Sequence, residues 1–199
     1  KNSKIPISIK CRIGLGEKQN YLFLKKFITY VSKNGCDKFY IHARNAVLSK
    51  FSPKKNRTIP SLNYKFVYNI KKEFPHLEII INGGIDNIRS IQNHLKFVDG
   101  VMIGREVYKN PFFLKEIEEK IFNNKVRSTR KDILKKLVPY IENEIKENNT
   151  SIQCITRHIF GLYTGMKGSK NWKRYLNKIK FMKGNVKDIV LNGVVNINE

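Results

Sequence analysis

Between Ile5 and Ile121 the chain passes four times from a short apolar run into a segment of helical periodicity. This alternation constrains the fold more than any other feature. A strand that feeds a helix before the next strand begins is returned to its starting end, so consecutive strands pair in parallel and the helices lie outside the sheet. In "KIPISIKCRIGLG", Ile5, Ile7, Ile9, Cys11 and Ile13 alternate with Ser8, Lys10 and Arg12, which puts Lys10 and Arg12 on one polar face. Tyr21, Leu24, Phe27, Ile28 and Val31 then recur at helical spacing up to Asn34-Gly35. A short strand, "KFYIH", ends at His42. The segment "ARNAVLSKFSPKKNRTIPSL" reads as a long surface loop, of a length that tends to carry function. A helix from about Tyr64 to Phe74 leads to the strand "LEIII", Ile88, Ile91 and Leu95 mark the next helix, "GVMIG" is the fourth strand, and Leu114, Ile117 and Ile121 predict a helix opening at Pro111.

From about Ser128 the pattern is helical only. Ile133, Leu137, Val138, Ile141 and Ile145 predict one apolar stripe, and Trp172, Tyr175, Leu176 and Ile179 another. Two domains are therefore expected, an α/β domain over residues 1–127 and an all-α domain over 128–199.

The strand ends carry the chemistry. In parallel α/β folds ligands lie at the carboxyl ends of the strands, and glycine there lets a phosphate approach the backbone while helix-start N–H groups point at it. Asn82-Gly83-Gly84 and Gly104-Arg105 fit as two halves of one phosphate cradle. Lys10 and Arg12 on the first strand and His42-Ala43-Arg44 at the end of the second add cations and an imidazole nearby. A cofactor with a phosphate tail and an electron-poor ring would use all of these.

Charge points to the partner. The chain has 39 basic and 16 acidic side chains and a net charge of +23, which favours a polyanion such as RNA or DNA, although the excess of Lys over Arg and the abundance of Asn and Ile also fit A/T-rich coding. Cys11, Cys36 and Cys154 lack CxxC spacing, and His42, His76, His94 and His158 lack ligand spacing, so no metal site is expected. No apolar run approaches the length of a membrane helix, and the expectation is a soluble, cytoplasmic protein without a membrane partner.

"IKCRIG", "IHARNAVLSKFSPKKNRTIPSL", "INGGI", "DGVMIGREVYKNP" and "ITRHIFGLYTGMKGSKNWKRYL" together resemble the flavin-dependent tRNA-dihydrouridine synthases, in particular the A-type subfamily, over nearly the whole chain. The resemblance implies a (β/α)₈ TIM barrel that binds FMN, followed by a helical tRNA-binding domain. It implies that Lys10 and His42 contact the flavin ring and that Asn82, Gly83, Gly84, Gly104 and Arg105 hold its phosphate. The implied reaction reduces uridine to 5,6-dihydrouridine in the tRNA D-loop, around positions 20/20a, with NADPH as reductant. A hydride reaches C6 of a base taken out of its stack, and a cysteine acid protonates C5. Arg12 and Arg44 are implied to hold the base or its phosphate. Lys54 and Arg57 in the loop, and Lys170 and Lys173 around Trp172, are implied to contact tRNA. The family often has arginine at the last two positions; lysine keeps the charge but not the bidentate fork.

Four strands match only the fifth to eighth of that barrel. The catalytic cysteine is therefore expected in a missing N-terminal half-barrel of a longer chain, and none of the three cysteines here takes its place. Two other readings stay open at this point: a non-catalytic RNA-binding remnant, and an FMN barrel oxidoreductase of a small metabolite such as dihydroorotate.

Overall fold

The computed structural model describes residues 5–194 and residue 197. The chain divides into two compact units, Lys1–Gly104 and Arg105–Glu199.

The first unit holds a four-stranded sheet of β1 (Ser8–Leu15), β2 (Lys38–Ala46), β3 (Glu78–Asn82) and β4 (Gly100–Met102), with α1 (Tyr21–Lys33), α2 (Tyr64–Glu73) and α3 (Ile88–Leu95) between them. The strand order is β1-β2-β3-β4 and every neighbouring pair is parallel. Strands laid side by side in chain order are what a (β/α) barrel requires, whereas a doubly wound sheet reverses its order at a switch point. The expected α/β class with a parallel sheet is present.

One face of this sheet is sealed and the other is polar. Phe39, Ile41, Ile79 and Ile81 are fully buried on the first face, together with Leu24 and Ile28 of α1 and Val67 and Ile70 of α2. Burying such side chains supplies about 1.5–3 kcal/mol each before the entropy of ordering them is charged. The register puts Arg12, His42, Asn82 and Met102 in one row across the opposite face and Lys10, Tyr40, Ile80 and Gly100 in the row before it. Asparagine starts all three helices of the unit: the side chains of Asn20, Asn63 and Asn87 accept from the backbone N–H groups of Phe23, Phe66 and Ser90.

Two boundaries differ from the sequence reading. β2 does not end at His42 but runs to Ala46, because an irregularity in its pairing with β1 between Arg12 and Gly14 lets Asn45 and Ala46 rejoin the ladder opposite Gly14 and Leu15. The polar run Arg44-Asn45 hides a strand because both side chains are buried and bonded to loop carbonyls. β4 stops at Met102, two residues before the glycine.

The second unit is helical: α4 (Arg105–Lys109), α5 (Phe113–Lys120), α6 (Arg130–Asn148), α7 (Ile152–Thr156), α8 (Ser169–Lys178) and α9 (Val186–Asn192). A capping box between Thr129 and Asp132 opens α6. Its core gathers Leu134, Val138 and Ile141 from α6, Leu162 and Tyr163, Trp172, Leu176 and Ile179, and Val190. The second expected stripe is correct throughout, with Trp172 fully buried and its indole N–H donating to the Ile159 carbonyl at 3.1 Å. The first is turned by one residue at its start, where Leu134 is buried and Ile133 lies at the surface. The helix expected to open at Pro111 is preceded by α4, and its inward residue is Phe113, while Leu114 is half exposed.

Candidate flavin and RNA site

At the carboxyl end of the sheet the side chains are tied to one another across strands. The Lys10 ammonium donates to Asn82 Oδ1 at 3.0 Å, and the Asn82 amide donates to the Met102 carbonyl at 2.7 Å, so one chain of hydrogen bonds crosses from β1 to β4. Burial lowers the Lys10 pKa; the adjacent Cys11 opposes that shift and Arg12 adds to it. Burial pushes the Cys11 thiol up to about 11, so it is no thiolate nucleophile at neutral pH, and its place on the opposite face keeps it from donating a proton on this one. His42 pairs with Arg12, two residues along the ladder from Lys10 on the same face, and lies beside the Gly83 turn.

The two glycine segments differ in kind. Gly83 and Gly84 have positive φ values of 122° and 68°. A Cβ on Gly83 would lie 2.8 Å from the His42 ring and one on Gly84 2.7 Å from Leu62, so the protein's own packing requires glycine at both. Gly104 has ordinary φ, and a Cβ there would meet no atom within 4 Å. Nothing among the described residues demands glycine at 104. The open space at Gly104, just after β4 and one strand away from the Gly83 turn, leaves room for a ligand such as a phosphate. Arg105 follows directly as the first residue of α4.

The basic side chains expected to meet RNA fall into two groups. In the first unit, Arg12 donates through Nη1 to the carbonyls of Asn45 (2.8 Å) and Asn56 (2.9 Å), and Arg44 donates to those of Thr58 (3.1 Å) and Pro60. Both arginines thus clasp the long loop. Burial lowers the pKa of Arg12, and the charges of Arg44 and Arg57 lower it further, which means that three guanidiniums converge. Lys54 and Arg57 are exposed around a short 3₁₀ turn, Lys55–Arg57, on the loop's crest. In the second unit Lys170 and Lys173 are exposed, three residues apart on α8, on the side away from buried Trp172 and Leu176.

Asn56 was invisible to sequence reasoning and organises the loop. Only 5% exposed, it accepts from the Val47 N–H at 2.8 Å and donates to the Val47 and Phe51 carbonyls at 3.0 and 2.8 Å. Asn45 likewise donates to the carbonyls of Gly16 and Lys18. Tyr64 was also missed; it donates to the Gly83 carbonyl at 2.8 Å. The signal for Asn63-Tyr64 as a helix start was present, but none marked Asn56. Among the described residues no three metal-ligating side chains converge, and no helix is long and apolar enough to cross a membrane.

A parallel sheet with its strands in chain order, a lysine and a histidine on its polar face and glycines at its strand ends defines an α/β protein of the (β/α)-barrel kind. The sequence profile of the family "Dihydrouridine synthase (Dus)" matches residues 1–196, and the chain belongs to that family. The chain is 43% identical over 176 residues to the tRNA-dihydrouridine(20/20a) synthase of Vibrio cholerae, covering 87% of this chain and 54% of that protein. Identity to the proteins of the same name from Salmonella typhi and Escherichia coli (strain K12) is 44% over 176 and 178 residues, covering 87% of this chain and 53% and 51% of theirs. The chain spans about half the length of the curated relatives it matches.

Proposed function

We propose that the whole protein is a tRNA-dihydrouridine synthase that binds FMN on the polar face of the sheet and reduces a D-loop uridine at position 20 or 20a, with NADPH as reductant. The relatives' names give the substrate and the position. The observation that carries the reading is the open Gly104 beside the Gly83-Gly84 turn, at the ends of adjacent parallel strands that also carry Lys10, His42 and Asn82. Bound FMN supplies the hydride chemistry.

The residues of this chain do the holding. Lys10, fixed by Asn82, presents a cation where negative charge would develop on a reduced ring, and His42 lies beside it. Gly83, Gly84 and Gly104 let the phosphate approach, and Arg105 adds charge. Arg12 and Arg44 shape the loop and set a positive field for the flipped base or its phosphate, while Lys54 and Arg57 face outward from it. Lys170 and Lys173 are the contacts of the helical tRNA-binding domain over 128–199. In this reading the four strands are the fifth to eighth of a (β/α)₈ barrel over 1–127, and the reacting cysteine and the first half-barrel come from elsewhere in the whole protein.

Gly104→Val in the full-length protein tests the cradle. Its Cβ enters open space, so the melting temperature without flavin should hold, while FMN occupancy should collapse. Full flavin occupancy in that variant would contradict the assignment.

A further inference from the structure

The Gly83-Gly84 turn is held from behind by the end of the long loop. Leu62 packs where a Cβ of either glycine would sit, at 2.9 and 2.7 Å. Two residues on, Tyr64 opens α2 just after its Asn63 cap, and Asn63 N–H donates to the Ala43 carbonyl at 2.8 Å. The Tyr64 hydroxyl donates to the Gly83 carbonyl at 2.8 Å and would lie 3.2 Å from a Cβ on Gly84. The ring cannot swing away, because the buried His94 stands edge-on to it at a centroid distance of 4.4 Å, and His94 is itself tied to the Tyr68 hydroxyl at 2.7 Å.

This hydrogen bond has a directional consequence. In a trans peptide the C=O and the N–H point opposite ways, so a Gly83 carbonyl anchored on Tyr64 turns the Gly84 N–H away from Tyr64. With glycines of positive φ on both sides of that peptide, the alternative is a flipped peptide plane at little backbone cost. Tyr64 removes the alternative. Its phenol remains a donor, since burial raises its pKa, with Arg44 opposing and Asp86 adding to the rise.

We infer that Tyr64 is a positioning residue for phosphate recognition: its hydroxyl locks the Gly83–Gly84 peptide so that the Gly84 N–H faces the anion, and it joins that peptide to the end of the RNA-facing loop. The inference rests on the FMN reading above and adds a residue that touches neither the ring nor the phosphate.

The test compares FMN with riboflavin, which lacks only the phosphate, on the full-length protein and its Tyr64→Phe variant. Phenylalanine keeps the ring against His94 and loses only the hydroxyl. The expected result is a rise in FMN Kd of about five-fold, as for one lost hydrogen bond, with riboflavin Kd unchanged. An equal loss for both flavins would mean a general packing role, and no loss for either would mean that the turn holds itself; each overturns the inference. A parent protein that binds FMN no better than riboflavin would instead remove the phosphate reading on which it rests. If Tyr64→Phe loses melting temperature without flavin, Leu62→Met, which keeps the hydroxyl and perturbs the same wall, gives the control: it should leave the FMN-to-riboflavin ratio intact, and a ratio that falls as in Tyr64→Phe would overturn the inference.

Discussion

Gly83 and Gly104 both follow a strand, yet their surroundings differ: glycine at 83 is compelled by its backbone angle and by His42 and Leu62, while a Cβ on Gly104 would enter open space. Sequence alone ranks them equally, because φ and clearance are tertiary facts. The same limit applies to the cysteines. Cys11 and Cys36 sit within the first unit, whereas Cys154 is exposed, so maleimide at neutral pH should label Cys154 in the folded protein and leave Cys11 unmodified until denaturant is added. Mass spectrometry of the cysteine peptides reads this directly, and labelling of Cys11 as fast as Cys154 would contradict its partial burial. His94 gives a pH signature. Burial lowers its folded pKa below the unfolded value of about 6.5, so the unfolded chain binds the extra proton first and stability is lost as pH falls through that range. Melting curves from pH 7.5 to 5 should therefore slope more steeply in the parent than in His94→Gln; equal slopes would show that His94 does not couple to folding.

At the scale of elements, the β-α alternation was legible because strand and helix periods differ; α1, α2 and α3 each also begin with a capping asparagine. The end of β2 was not, since Arg44 and Asn45 look like loop residues until their carbonyl partners are known. The segment read as a long surface loop, and within it Asn56 is stapled to Val47 and Phe51. Asn56→Ala leaves a buried N–H and two carbonyls without partners and should cost about 2–3 kcal/mol locally. Limited trypsin digestion should then cut at Lys54, Lys55 or Arg57 several times faster than in the parent. An unchanged cleavage rate would mean that the arginine clasps of Arg12 and Arg44 suffice to hold the loop. On α8, Lys170 and Lys173 project from a helix whose opposite side is core, so replacing both with alanine should spare the fold. The double variant should raise the apparent tRNA KM and reduce the salt slope of binding by roughly two contacts while flavin reduction by NADPH proceeds as before; a KM equal to the parent's at physiological salt would remove α8 from the tRNA interface.

For the whole molecule, the parallel sheet followed from pattern, and the family followed from the motifs that sit at strand ends and in the loop. The net charge of +23 pointed to a polyanion without choosing among them, because a field is not a geometry. What chooses among them in the proposed function is the conjunction of open space at Gly104 beside the Gly83 turn, a lysine fixed on the polar face and a clasped basic loop, carried by a chain that matches the dihydrouridine synthase family from residue 1 to 196. The most direct measurement is therefore of product. Unmodified tRNA incubated with the full-length protein, FMN and NADPH, then cut into fragments and weighed, should show a gain of two hydrogens in the D-loop fragment containing positions 20 and 20a, and no gain when NADPH is withheld. A protein that binds both FMN and tRNA yet leaves the mass of that fragment unchanged would contradict the account.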